Sequence, residues 1–313
     1  MAYGLRGRDL LSIHDLTTRE VFTIFDVAAE LKRLSKEGKK THILPGKILG
    51  MIFQKPSTRT RVSFEVGIFQ LGGYGLFLNA QDMQLRRGET IADTARVLSR
   101  YLDGIMIRTF DHKDVEELAQ YASIPVINGL TDLLHPCQAL ADYFTILEKF
   151  DRIEGLKIAY VGDGNNMAHS LLFGAAKVGM DISIATPAGY EPSEEIVRLA
   201  KEDAMKSGSQ IEIMRSPFEA VANAHVIYTD VWTSMGQEKE HDERVEALKP
   251  YQVNQRLVEE AKPDVLVMHC LPAHRGEEIT DEVIDGPHSI VFDQAENRLH
   301  VQKAIMALLM RDL

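Results

Sequence analysis

Cysteine is scarce in this chain: only Cys137 and Cys270 occur among 313 residues, so there is no disulfide framework and a reducing compartment is expected. Positive charge is also in deficit. Lys and Arg number 35 against 46 Asp and Glu, a formal net charge of −11, which disfavours general affinity for nucleic acid or for anionic membranes. No uninterrupted apolar run approaches membrane-spanning length, and Asp9, His14 and Asp15 interrupt any signal-peptide core behind Arg6 and Arg8. Internal repeats and low-complexity tracts are missing as well. These absences leave a soluble, cytoplasmic globular protein as the expectation, with length for two domains.

What is present is an alternation of strand-like and helix-like runs, the pattern of α/β architecture. Strands are predicted at Lys47–Phe53, Tyr74–Leu78, Ile105–Arg108 and Ile124–Ile127, with helices at Thr58–Leu71, Thr90–Leu102 and from Pro136 to about Phe150. Residues 151–156 read as a seam. Beyond it come strands at Lys157–Val161, Ile182–Thr186, Ile211–Met214, Val226–Thr229 and Val265–His269, a helix ending at Gly179, and a last helix at Ala295–Leu309. The expected fold is two doubly wound domains, each a parallel sheet flanked by helices.

Polar clusters fall where apolar runs end. Ser57-Thr58-Arg59-Thr60-Arg61 follows the first run at Pro56, and a helix start with hydroxyls and a guanidinium suits an oxyanion. A plain N-cap with two surface arginines reads equally well from that fragment alone. Arg108 closes another run and would emerge at the carboxyl edge of the sheet near that turn. His135-Pro136-Cys137-Gln138 opens a helix, giving a His that can donate to a carbonyl oxygen and a Gln amide that can pair with an amide-like group. Gly162-Asp163-Gly164-Asn165-Asn166 invites a dinucleotide reading, but Met167 stands where a third glycine is required. Asp230, ahead of Trp232-Thr233-Ser234-Met235-Gly236, offers a carboxylate to an ammonium group. In His269-Cys270-Leu271-Pro272, neighbours on a strand face opposite ways and no second ligand pair completes a zinc site, so no metal is expected there.

Taken in order, the motifs from Ser57-Thr58-Arg59-Thr60-Arg61 through His135-Pro136-Cys137-Gln138, Asp230 and Ser234-Met235-Gly236 to His269-Cys270-Leu271-Pro272 resemble the aspartate/ornithine carbamoyltransferase family, and within it the ornithine branch, over nearly the whole chain. The resemblance implies a carbamoyl phosphate-binding domain at residues 1–150, joined by a C-terminal helix at about 295–313 that packs back toward it, and an ornithine-binding domain at 151–294. It implies that Ser57, Thr58, Arg59, Thr60, Gln84, Arg108, His135, Pro136, Cys137, Gln138, Cys270, Leu271 and Arg298 serve carbamoyl phosphate. Asn166, Asp230, Ser234 and Met235 would hold L-ornithine. Arg59, Arg108, His135, Asp230 and Cys270 would be the catalytic set, with Cys270 facing the amine and forming no covalent intermediate.

By the same resemblance, Gln84 would reach a neighbouring subunit's site in a homotrimer, with higher assemblies left open. The products would be L-citrulline and phosphate, and no metal or organic cofactor is implied, because carbamoyl phosphate is already activated. Carbamoyltransferases using putrescine, N-acetylornithine or aspartate remain alternatives. A nicotinamide-dependent dehydrogenase is disfavoured by the missing glycine and by Ala185-Thr186-Pro187 where an acidic residue is wanted. A non-catalytic binding protein on the same fold is a further alternative.

Overall fold

The computed structural model describes residues 4–84 and 88–311. By internal contacts the chain divides into residues 1–144 with 297–313, and residues 145–296. Both divisions fall inside helices, whereas the sequence places the seam at 151–156. The polar Asp151-Arg152 marks where a helix ends, which is a separate matter from where one packed unit ends.

The first unit contains α1 (Thr18–Lys36), β1 (Ile48–Phe53), α2 (Thr58–Gln70), β2 (Tyr74–Asn79), α3 (Ile91–Leu98), β3 (Gly104–Arg108), α4 (His112–Tyr121), β4 (Val126–Leu130) and the start of α5 (Pro136–Phe150). Its sheet is parallel, in the order β2-β1-β3-β4. Every residue of β3 is buried, which is why that strand reads as a continuous apolar run. Helix α1 opens with a capping box in which Thr17 and Glu20 satisfy each other's backbone N–H groups.

Strand β4 continues to Leu130 instead of stopping at Ile127. Asn128-Gly129 has turn chemistry, but the Asn128 amide donates to the Leu11 carbonyl at 3.0 Å, so the buried side chain is satisfied within the strand. A Cβ on Gly129 would meet the Met106 sulfur at 2.4 Å, and only glycine allows that approach. Helix α3 is shorter than expected, ending at Leu98 with the Ser99 hydroxyl turned back onto the Ala95 carbonyl.

The second unit holds β5 (Lys157–Val161), α6 (Asn166–Val178), β6 (Asp181–Ala185), α7 (Glu194–Ser207), β7 (Ile211–Met214), α8 (Pro217–Val221), β8 (Val226–Thr229), α9 (His241–Leu248), α10 (Gln255–Val258), β9 (Leu266–His269) and α11 (Asp281–Ile284). Its parallel sheet runs β7-β6-β5-β8-β9. The final helix, α12 (Val291–Met310), begins a turn before Ala295 because Val291 belongs to the second unit's apolar core. From Asn297 onward α12 belongs to the first unit. There Lys303 donates to Gln70 and Lys32 to Asn297, at 2.9 and 2.7 Å. Among the described residues, no helix is long and apolar enough to cross a membrane.

Candidate active site

Strand order fixes where ligands can gather. In the first sheet the chain leaves β1 for β2 on one side and later fills the other side with β3, so the carboxyl ends of β1 and β3 bound a switch-point crevice. Ser57 to Thr60 follow β1 directly, and Arg108 is the last residue of β3.

Ser57 is the N-cap of α2, its hydroxyl accepting from the Thr60 N–H at 3.2 Å. Thr58 and Arg59 occupy the first turn. Among the described residues Arg59 has no hydrogen-bond or ion-pair partner, whereas Arg61 is held by Glu65 and lies over the Phe77 ring at 3.8 Å. The two arginines of the motif therefore part company: one guanidinium remains available at a helix N-terminus and the other is absorbed by its own surface.

Thr60, Arg108, His135, Gln138 and Arg298 are all buried. Arg298 joins them, donating to the Gln138 side-chain oxygen Oε1 at 2.9 Å and to the Thr60 hydroxyl at 3.0 Å. Gln138 in turn donates to Asp142 at 2.8 Å, which fixes its amide orientation. Burial, then the charges of Arg298 and Arg108, hold the His135 imidazole well below its ordinary pKa. It is a neutral ring at physiological pH, able to donate a hydrogen bond without adding charge.

Pro136 opens α5 as expected, but the Cys137 thiol is fully buried and donates to the Asn128 carbonyl at 3.4 Å. Burial pushes that thiol up to about 12, so only the backbone of Cys137 can serve a ligand. Gln84 is exposed and has no side-chain partner among the described residues; the rest of its loop, residues 85–87, lies outside them.

The second sheet has its own switch point, between β5 and β8. Asn165, the N-cap of α6, accepts from the Met167 and Ala168 N–H groups and donates to Asp230 at 2.9 Å. The same carboxylate accepts from the Val231 N–H at 2.8 Å and from the Cys270 thiol at 2.9 Å. Asp230 and Cys270 are thus in direct contact. Asn166 sits beside this group in the first turn of α6, and Ser234 and Met235 form a turn closed by Gln237.

The partial glycine motif has a different explanation from phosphate binding. A Cβ on Gly164 would meet the Pro192 nitrogen at 2.3 Å, so the close approach that glycine permits is already filled by the chain itself.

Several positioning residues escaped sequence reasoning. Arg244 on α9 donates to the Trp232 carbonyl at 2.6 Å and is paired with Asp163, clamping the Asp230–Trp232 loop to the turn after β5. Burial raises Asp163 to about 6. His269 accepts from the Leu271 N–H at 2.8 Å and shares a 3.0 Å hydrogen bond with Glu278, both side chains fully buried. This supports Leu271, which holds a positive φ of 57° that a branched residue rarely adopts. Arg244 reaches Asp163 from 81 positions away, a pairing no local motif reveals, whereas His269 and Glu278 lie within one short run.

Native protein is expected to show one thiol per chain reacting quickly with an aromatic disulfide, and none after Cys270→Ser. Two thiols reacting at similar rates would contradict the burial of Cys137.

Residues 8–148 match the family profile described as aspartate/ornithine carbamoyltransferase, carbamoyl-P binding domain, and residues 154–309 match its Asp/Orn binding domain. The chain belongs to the aspartate/ornithine carbamoyltransferase family. It is 64% identical over 310 residues to a protein of Thermococcus kodakarensis named ornithine carbamoyltransferase, covering 99% of this chain and 98% of the relative. Over the same length it is 61% identical to a Pyrococcus furiosus protein named ornithine carbamoyltransferase, anabolic, again covering 99% and 98%. The solved ornithine carbamoyltransferase from Pyrococcus furiosus superposes with a TM-score of 0.96 at 61% identity, covering 98% of each chain.

Proposed function

We propose that the chain transfers the carbamoyl group of carbamoyl phosphate to the δ-amine of L-ornithine, giving L-citrulline and phosphate, and serves arginine biosynthesis in the cytoplasm. One observation carries this reading above all: Asp230 and Cys270, 40 positions apart, meet at 2.9 Å, an acidic and thiol pair suited to an amine substrate and ill suited to a dicarboxylate.

The chemistry follows from the two clusters. Arg59, Arg108 and the first turn of α2, with Ser57, Thr58 and Thr60, neutralise the phosphate as a leaving group. His135 and Gln138 address the carbamoyl oxygen and amide, Arg298 holding Gln138 in place. Asn166, Asp230, Ser234 and Met235 hold the amino-acid end of ornithine, while Cys270 faces the δ-amine and Leu271 completes the donor site. The ornithine ammonium gives one proton to water and the free amine attacks the carbamoyl carbon; a neutral His135 stabilises the developing oxyanion, which collapses with cleavage of the C–O bond, the departing phosphate taking the second proton from the attacking nitrogen.

The test offers carbamoyl phosphate with ornithine, putrescine, N-acetylornithine, lysine or aspartate and follows phosphate release. Ornithine is expected to support release far above the others. Release with aspartate and not ornithine overturns the specificity.

The proposed assembly is a homotrimer with shared sites. In its support, β2 is an edge strand exposing Tyr74 and Leu76, and α2 beside it exposes Val62, Val66 and Phe69, an apolar patch that a free monomer would carry as a liability. Gln84→Ala and Arg59→Ala proteins, each inactive alone, are expected to regain activity when dissociated and reassembled together, because a mixed trimer contains a site with both residues intact. No recovery in verified hybrids would mean that each chain owns its whole site.

A further inference from the structure

We propose that His274, Glu277 and Glu278 bind one divalent transition-metal ion of the zinc class, apart from the residues assigned to the substrates. All three lie in the segment between β9 and α11, within the second unit. One ligand atom from each, an imidazole nitrogen and a carboxylate oxygen from each glutamate, falls within 4.8 Å of the other two.

These spacings put the three donors within reach of a single ion. Three atoms so placed share a point at most about 2.8 Å from each, against bond lengths of about 2.0–2.2 Å for zinc to nitrogen or carboxylate oxygen, so each donor needs to move by less than about 1 Å. His274 is exposed and Glu277 only half-buried, which leaves both side chains room for that shift. His274 Nδ1 lies 3.7 Å from Glu277 Oε2, beyond an N–H···O hydrogen bond. That separation is close to the roughly 3.4 Å between two ligands that each lie about 2.1 Å from a tetrahedral ion.

A second observation comes from the buried end of the cluster. Glu278 is fully buried, and its Oε1 is bonded to His269 Nε2 at 3.0 Å and accepts from the His274 N–H at 2.6 Å. Its Oε2 has no hydrogen-bond partner among the described residues, and Glu277 Oε2 is buried and unpartnered in the same way. Carboxylate oxygens taken out of water without compensation are costly, and a cation held between them removes that cost. One imidazole beside two carboxylates, with water completing the shell, suits zinc better than magnesium or calcium, whose ligands are oxygens.

The backbone sets the cluster in advance. The Glu277 N–H donates to the His274 carbonyl at 2.9 Å and the Gly276 N–H to the Ile279 carbonyl at 2.8 Å. Gly276 has a φ of 89°, a conformation open to glycine, and so lets the chain reverse between His274 and Glu277. Gln252 donates to the carbonyls of Gly276 and Glu277, both at 2.9 Å. His241 is not a ligand: its Nε2 faces the other Glu277 oxygen, Oε1, at 3.6 Å, where it acts on Glu277 from outside the ion's shell.

Asp230, His269 and Cys270 form another group of metal-binding donors, so the test is run on the full chain carrying Cys270→Ser. Zinc alone is titrated into it by calorimetry, and one zinc per chain is expected. Adding His274→Ala or Glu277→Gln should weaken binding at least about tenfold, the scale that even an outer-shell partner commands. His241→Ala should cost less than His274→Ala, and magnesium alone should bind far more weakly than zinc. Unchanged zinc-free circular dichroism and thermal midpoint identify folded variants; His274→Ala, at an exposed position, is the deciding one. No zinc bound by the Cys270→Ser protein, or full affinity in a folded His274→Ala protein, overturns the proposal. A loss on His241→Ala as large as that on His274→Ala overturns the ligand set, and magnesium binding as tight as zinc overturns the metal class. Because the readout is binding, the result is independent of the carbamoyl-transfer reading.

Discussion

Arg59→Ala is expected to lower kcat for citrulline formation by about 10²–10³ while leaving the unfolding midpoint nearly unchanged, the magnitude attached to losing one preorganised contact to a developing anion. The two halves of that expectation have separate causes. Stability is spared because Arg59 has no partner among the described residues, and the cap of α2 is made by Ser57 and the Thr60 N–H. Turnover suffers because the guanidinium sits at a helix N-terminus beside a switch-point crevice, where its charge and the helix dipole act on the same oxyanion. Arg61→Ala is the internal control. Its side chain is engaged by Glu65 and Phe77, so a loss under threefold or so is expected, as for other exposed pairs. Steady-state rates with both substrates varied check the pair, and a near-normal Arg59→Ala rate would remove the phosphate-site assignment.

The contrast between Arg59 and Arg61 illustrates what could be read from residue order. The placement of Ser57, Arg108, His135 and Asp230 at the ends of apolar runs was legible, because parallel strands must end at one edge and the alternation of strand and helix is a local signal. Strand order was not, since either sheet could have been wound otherwise with the same runs; yet that order creates both crevices. The strand expected to stop at Ile127 runs on through Asn128-Gly129 because the Asn128 amide finds the Leu11 carbonyl, a partner remote in sequence. Gly164 looked like half of a dinucleotide motif for the same reason: its steric partner, Pro192, lies in a later loop. Arg244 carried no signal at all, and Glu278 stood without a role in the polar run that begins at His269. Their meaning resides in contacts with Asp163 and His269, which only the folded chain supplies.

Asp230→Asn tests the other half of the chemistry, and kcat/KM for ornithine is expected to fall about 10²-fold, near the upper end of what a hydrogen bond to a charged group contributes. The carboxylate accepts three hydrogen bonds, from Asn165, Val231 and Cys270, and only an acceptor with two equivalent oxygens can satisfy them all. An amide in its place must aim its NH₂ at one of those donors, turning an attraction into a donor–donor conflict, and it also removes the charge proposed to face the substrate's ammonium group. KM for carbamoyl phosphate should move little, because the residues proposed for the phosphate, Ser57 to Thr60 and Arg108, belong to the other unit. Initial rates at saturating carbamoyl phosphate, with ornithine varied, measure the first effect, and the converse experiment measures the second. An equal loss for both substrates would place Asp230 in the general support of the fold, and an unchanged kcat/KM for ornithine would take it out of the amine site altogether.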